Sequence, residues 1–176
     1  MRQLTNTKSR LNIGWKLMVV FGVHWCLLAV LMPLTSYLSL PNQPVTTFGM
    51  ADEKLTGLSW GQIISVSPDL GLWIVLTKIS MSAMMMGLGI LIATLSYKVY
   101  RQGERWAWRA LLASTLIPIF VYYGFICAIH ISHRIPIWTF RLGSSGVMAD
   151  LVNAFVLTWL YFGLWYPRKH LKIEKQ

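Results

Sequence analysis

Long apolar runs, broken only by short basic clusters, set the pattern of this chain, and they are too long for the elements of an ordinary soluble core. Crossing about 30 Å of hydrocarbon takes about 20 helical residues. Four stretches reach that length: residues 14–38, 68–100, 106–131 and 147–166. Inside lipid the backbone has to satisfy its own hydrogen bonds, so each is expected to be a helix. The pattern predicts an all-α fold, an integral membrane four-transmembrane-helix bundle formed by one membrane domain over residues 1–176.

The connections carry their own signals. The first, residues 39–67, is the longest. Its opening, SLPNQPVTTFGMADEK, reads as a loop. Leu58, Trp60, Ile63 and Ile64 then recur at the spacing of one helical face. That predicts a short extracytoplasmic helix over 59–66, lying on the membrane surface or capping the bundle. Ser67-Pro68-Asp69 gives a helix start, with a Ser cap, Pro at the first position and an acid in the first turn. The turn YKVYRQGERWAWR (97–109) is short enough to make the second and third helices antiparallel neighbours, with Gly103 as the break. Residues 132–146 hold Pro136 and a Gly-Ser-Ser-Gly stretch, a turn signal.

Composition supports lipid as the outer solvent. Charged residues make up 12% of the chain and hydrophobic ones 55%, whereas a soluble domain carries about 25% charge. The charge is also skewed, with 16 Lys and Arg against 6 Asp and Glu, for a net +10. Twelve of the cations fall on one side of the predicted bundle: Arg2, Lys8, Arg10 and Lys16; Lys98, Arg101, Arg105 and Arg109; Arg168, Lys169, Lys172 and Lys175. The other side has Lys54, Arg134 and Arg141, with Lys78 just inside the second helix. Because cytoplasmic loops collect Lys and Arg, both termini are expected in the cytoplasm, at a prokaryotic inner membrane. Clusters set between apolar runs suit lipid headgroups and not nucleic acid. Trp15, Tyr97, Tyr100, Trp106, Trp108, Trp165 and Tyr166 would form the inner aromatic belt; Tyr37, Trp60, Trp73 and Trp138 would form the outer one. The N-terminal run is longer than the roughly 7–15 residues of a secretory core and lacks a small-x-small cleavage site, so it reads as an anchor. Cys26 and Cys127 have no metal-site spacing.

The turn Y-R-Q-G-E-R-W-A-W (Tyr100–Trp108) resembles one in small four-helix prokaryotic inner-membrane proteins. Residues 58–70 (LSWGQIISVSPDL) are similar to their surface helix and Ser-Pro-Asp helix start. The resemblance covers about the middle third of the chain and implies a four-helix bundle. No activity and no functional residues come with it.

Intramembrane ionisable groups are costly and point to sites. His24 lies about 12 Å deep, where it could hold a haem or a chlorophyll-type pigment as a single ligand. His130 is the other cofactor-binding candidate. It sits about 20 Å from the depth of His24, which excludes one haem shared between them. An outer polar cluster of Lys78, His130, His133, Arg134, Asp150 and Asn153 could converge at one level. A cap-and-pair role fits it better than acid–base chemistry, and no third metal ligand accompanies His130 and His133. Ser80, Ala83, Gly87 and Thr94 on the second helix, and Gly124 and Ala128 on the third, are expected to pack against neighbouring helices.

The function expected from these features is a non-catalytic subunit of a larger membrane complex, holding lipid, quinone or pigment at its seams. Its partners would be other membrane subunits and lipids. The alternative is a small membrane enzyme or binder of an apolar ligand that uses the outer His/Asp/Lys cluster. A transporter is disfavoured by the lack of a mid-membrane carboxylate.

Overall fold

The computed structural model describes residues 2–39, 42, 48–136, 151 and 154–171. Within them the chain is all-helical: α1 (Arg2–Leu38), α2 (Met50–Thr56), α3 (Trp60–Val66), α4 (Pro68–Lys98) and α5 (Arg105–Ser132), followed by a helical C-terminal segment. That segment is α-helical over 154–160 and widens into a π-helical turn at Tyr161–Trp165. Three helices are long and apolar enough to cross a membrane: Arg10–Leu38, Pro68–Gln102 and Arg105–Ser132. Most of the fourth apolar run's first half, residues 147–150 and 152–153, lies outside the described residues.

Local sequence accounts for the element ends. Pro68 opens α4, with Asp69 in its first turn; a proline there loses no helical hydrogen bond. α4 closes through a 3-10 turn, Tyr100–Gln102, and Gly103 takes φ 81°, the left-handed conformation in which glycine avoids a Cβ clash. α3 begins at a reciprocal cap. The Ser59 hydroxyl accepts from the Gln62 N–H, while the Gln62 side-chain oxygen accepts from the Ser59 N–H at 2.8 Å. Residues 50–54, expected in a loop, instead belong to α2. The Asp52 carboxylate reaches back to the Gly49 N–H at 2.8 Å and fixes the first turn.

The chain divides into two compact units. One comprises Met1–Cys26, Gly87–Tyr123 and Ala154–Gln176. Its core joins four helical segments: Met18 and Phe21 of α1, Ile92 of α4, Ala107, Trp108 and Leu111 of α5, and Leu160 and Leu164 of the C-terminal segment, with Tyr100 from the turn. Here α1 and α4 meet backbone to backbone. A Cβ built on Gly22 would lie 2.6 Å from the Gly89 carbonyl oxygen and 2.7 Å from the Ala93 nitrogen. The other unit comprises Leu27–Met86 and Gly124–Asn153. In it Trp60 and Ile63 of α3 pack with Phe48 and with Val75 of α4.

The small-residue faces expected to pack against neighbouring helices are open within this chain. Ser80, Ala83, Gly87 and Thr94 are all exposed, whereas Ser82, Gly89 and Ser96 of α4 are buried. With Val75 these recur every seven residues, the seam spacing of closely packed helices. Gly124 and Ala128 are likewise exposed.

Candidate functional site

Of the aromatic residues expected in the inner belt, Tyr97 and Trp106 are exposed, but Tyr100 and Trp108 belong to the core. Tyr100 is fully buried and Trp108 nearly so. Their polar atoms need partners, and the C-terminal segment supplies them, because its helix ends at Pro167, which has no N–H for the Gly163 carbonyl, and leaves its last carbonyls without helical donors. The Tyr100 hydroxyl donates to the Gly163 carbonyl at 2.9 Å, and Trp108 Nε1 donates to the Leu164 carbonyl at 2.8 Å. Trp159 Nε1 donates to the Leu17 carbonyl at 2.9 Å. These three bonds tie α1, the turn and α5 to the C-terminal segment. Trp60, expected in the outer belt, is also buried, packed 5.3 Å from the Phe48 ring.

This clamp draws the cations together. Arg10 comes from α1, Arg105 and Arg109 from the first turns of α5, and Arg168 and Lys169 from the 3-10 turn after the π-helical residues. The five line one open pocket of about 690 Å³, with Trp108, Tyr161, Trp165, Tyr166 and Leu171 as its other walls. No carboxylate lines it among the described residues. Two of the guanidinium groups are set by rings. Arg10 lies 4.9 Å from the Tyr166 centroid, and Arg168 lies 5.0 Å from that of Trp165 and 5.5 Å from that of Trp108. Such stacking engages the flat face of a guanidinium and leaves its N–H edge available. Arg10 Nε is buried and makes no hydrogen bond among the described residues.

The residues singled out in the sequence are placed differently. His24 is half-buried in the first unit, its ring 5.8 Å from that of Trp159 and tilted by 33°. His130 and His133 serve the C-terminal end of α5. His130 Nδ1 lies 3.2 Å from the Pro136 carbonyl, and His133 Nδ1 lies 3.1 Å from the Ile129 carbonyl. His133 Nδ1 also lies 2.9 Å from the Ser132 hydroxyl. Arg134 is exposed at φ 55°, and the N–H groups of Arg134 and Ile135 bond back to Ile131 and His130. This is the Schellman closure, with arginine where glycine is usual. The Lys78 side chain, Asp150 and Asn153 lie outside the described residues, so the outer cluster is represented by its α5 members alone. Among the described residues no three His, Cys, Asp or Glu side chains group as metal ligands.

Sequence reasoning read the basic residues as separate clusters, for orientation and lipid headgroups, and missed their convergence on one pocket. The signal was present as arginines interleaved with aromatics, R-W-A-W-R at 105–109 and W-Y-P-R-K at 165–169. No known protein family, curated protein or solved structure matches this chain. The geometry therefore defines the class by itself: an all-helical chain with three helices able to cross a membrane.

Proposed function

We propose that the chain is a multi-pass protein of a prokaryotic inner membrane, crossing four times with both termini cytoplasmic, and that it is a non-catalytic subunit of a larger membrane assembly. The observation that carries this reading is the pair of small-residue faces left open. Ser80, Ala83, Gly87 and Thr94 on α4 and Gly124 and Ala128 on α5 are exposed, and a Cβ on Gly87 or Gly124 would meet nothing within 4 Å. Only 6% of the apolar window of α5 is buried within the chain. Lipid tails fill around any apolar side chain, whereas small residues in a stripe let another helix approach closely. Partner helices are the occupants that use such a face.

The crossing count is supported by the three apolar helices and by the length of the fourth run. The orientation is supported by the twelve cations shared among the N-terminus, the turn between α4 and α5, and the C-terminus. In this reading α3 lies at the extracytoplasmic interface, and lipid, quinone or pigment fills the seams with the partner subunits.

Extraction into gentle detergent followed by native-gel mass measurement tests the assembly. The wild-type chain is expected to run with partners. Gly87→Leu and Gly124→Leu are each expected to release a folded single chain. A wild-type chain that runs alone under gentle extraction would overturn the proposal.

A further inference from the structure

We infer that the pocket lined by Arg10, Arg105, Arg168 and Lys169 binds the phosphodiester headgroup of an acidic membrane phospholipid. The inference rests on the membrane-spanning reading and is independent of whether the chain has protein partners.

The chemistry is that of phosphate. Cations from three separate stretches of the chain converge on one pocket that no described carboxylate lines. Like charges brought together repel, so a pocket lined by cations is more stable when an anion enters it. The stacking of Arg10 on Tyr166 and of Arg168 on Trp165 holds two guanidinium planes in place, with their N–H edges available for bidentate bonds to phosphate oxygens. Arg10 Nε, buried and without a hydrogen-bond partner among the described residues, is a donor open to an anion. The volume, about 690 Å³, lies within the roughly 300–1,000 Å³ of small-ligand sites.

The lipid source follows from the walls. Tyr161, Trp165 and Tyr166 are exposed at the pocket, and amphipathic rings of this kind settle at headgroup level. The pocket is also built where α1 and α5 begin their apolar runs. A headgroup entering it would leave its acyl chains against those helices, an attachment that a soluble phosphate lacks. Basic pockets between membrane helices bind acidic headgroups on this basis.

The test uses the full chain in non-ionic detergent, read by native mass spectrometry and by thermal unfolding. Phosphatidylglycerol, phosphatidylcholine, inorganic phosphate and glycerol phosphate are the probes. Phosphatidylglycerol is expected to be retained and to raise the melting temperature, and phosphatidylcholine is expected to do neither. The double substitution Arg10→Gln/Arg168→Gln should weaken retention by about tenfold or more, since each charge-assisted bond lost is worth about that much. Because both residues also stack on rings, a second variant, Arg105→Gln/Lys169→Gln, removes charge while leaving the stacks; it should weaken retention without lowering the melting temperature of the lipid-free protein. Equal retention of the two lipids, or retention unchanged in both variants, would overturn the site. A shift with inorganic phosphate or glycerol phosphate as large as that with phosphatidylglycerol would overturn the lipid source.

Discussion

Gly89 and Gly87 stand two positions apart on α4, and the same substitution should move stability in opposite directions. A Cβ on Gly89 would lie 2.7 Å from the Gly22 carbonyl oxygen, 2.8 Å from Cys26 Sγ and 3.1 Å from the Cys26 nitrogen. A comfortable carbon–oxygen contact is about 3.3–3.6 Å, so α1 and α4 would have to separate by roughly 0.6–0.9 Å. Two of the three obstacles are backbone atoms and cannot swing aside. Overpacking of this kind costs about 1–3 kcal/mol, and separating the helices also loosens the dispersion contacts on either side. On Gly87 the new methyl meets nothing within 4 Å. Its effect is then the helix propensity of alanine over glycine, a gain of up to about 1 kcal/mol. The propensity gain applies at both positions and cancels, so Gly89→Ala should unfold about 1–3 kcal/mol more readily than Gly87→Ala. At about 2–4 °C per kcal/mol for a chain of this length, the gap in melting temperature is on the order of 2–12 °C. Thermal unfolding in a single detergent, followed by helical circular dichroism, measures it. Equal melting temperatures would refute the backbone-to-backbone contact, and a more stable Gly89→Ala would show that the two helices do not meet there.

Tyr100→Phe removes the hydroxyl that donates to the Gly163 carbonyl and should cost about 1–3 kcal/mol, because the carbonyl is left buried without a partner; denaturant titration in detergent checks it. Trp108→Phe loses both the bond to Leu164 and packing volume in the core, so it should cost at least as much by the same titration. Arg134→Gly relieves a left-handed side-chain conformation at the end of α5 and should stabilise by about 1 kcal/mol; an unchanged or lower melting temperature would count against the Schellman closure. Ser59→Ala removes one half of the cap on α3 and should cost about 1 kcal/mol locally, visible as faster hydrogen exchange at Gln62 and Ile63.

The elements were legible because their signals are local. Apolar length marked the three described helices long and apolar enough to cross a membrane, Pro68 marked the start of α4, and Gly103 marked the break before α5. α2 was harder to read because seven mostly polar residues carry no apolar period; its signal was the Asp52 carboxylate three residues past Gly49.

The faces were not legible, and the reason is physical. Outside water, hydrophobicity no longer separates inside from outside, so a helix in lipid can be equally apolar all round. α4 carries one small-residue series through Ser80, Gly87 and Thr94 and another through Ser82, Gly89 and Ser96. Both repeat every seven residues, and a two-residue offset puts them on nearly opposite sides of the helix. Only the second is buried, and nothing in the spacing distinguishes it. Tyr100, Trp108 and Trp60 posed the same ambiguity. An aromatic ring with one polar atom suits the headgroup region, but it suits a core equally well when a carbonyl is free to accept its hydrogen. For Tyr100 and Trp108 that carbonyl comes from the π-helical turn at Tyr161–Trp165, some 60 residues later in the chain. The same two bonds hold the C-terminal segment beside the start of α5 and bring Arg168 onto the Trp108 ring. Burial of these aromatics and convergence of the basic residues are therefore one event: a turn that closes the core also gathers the charges that were read separately along the sequence.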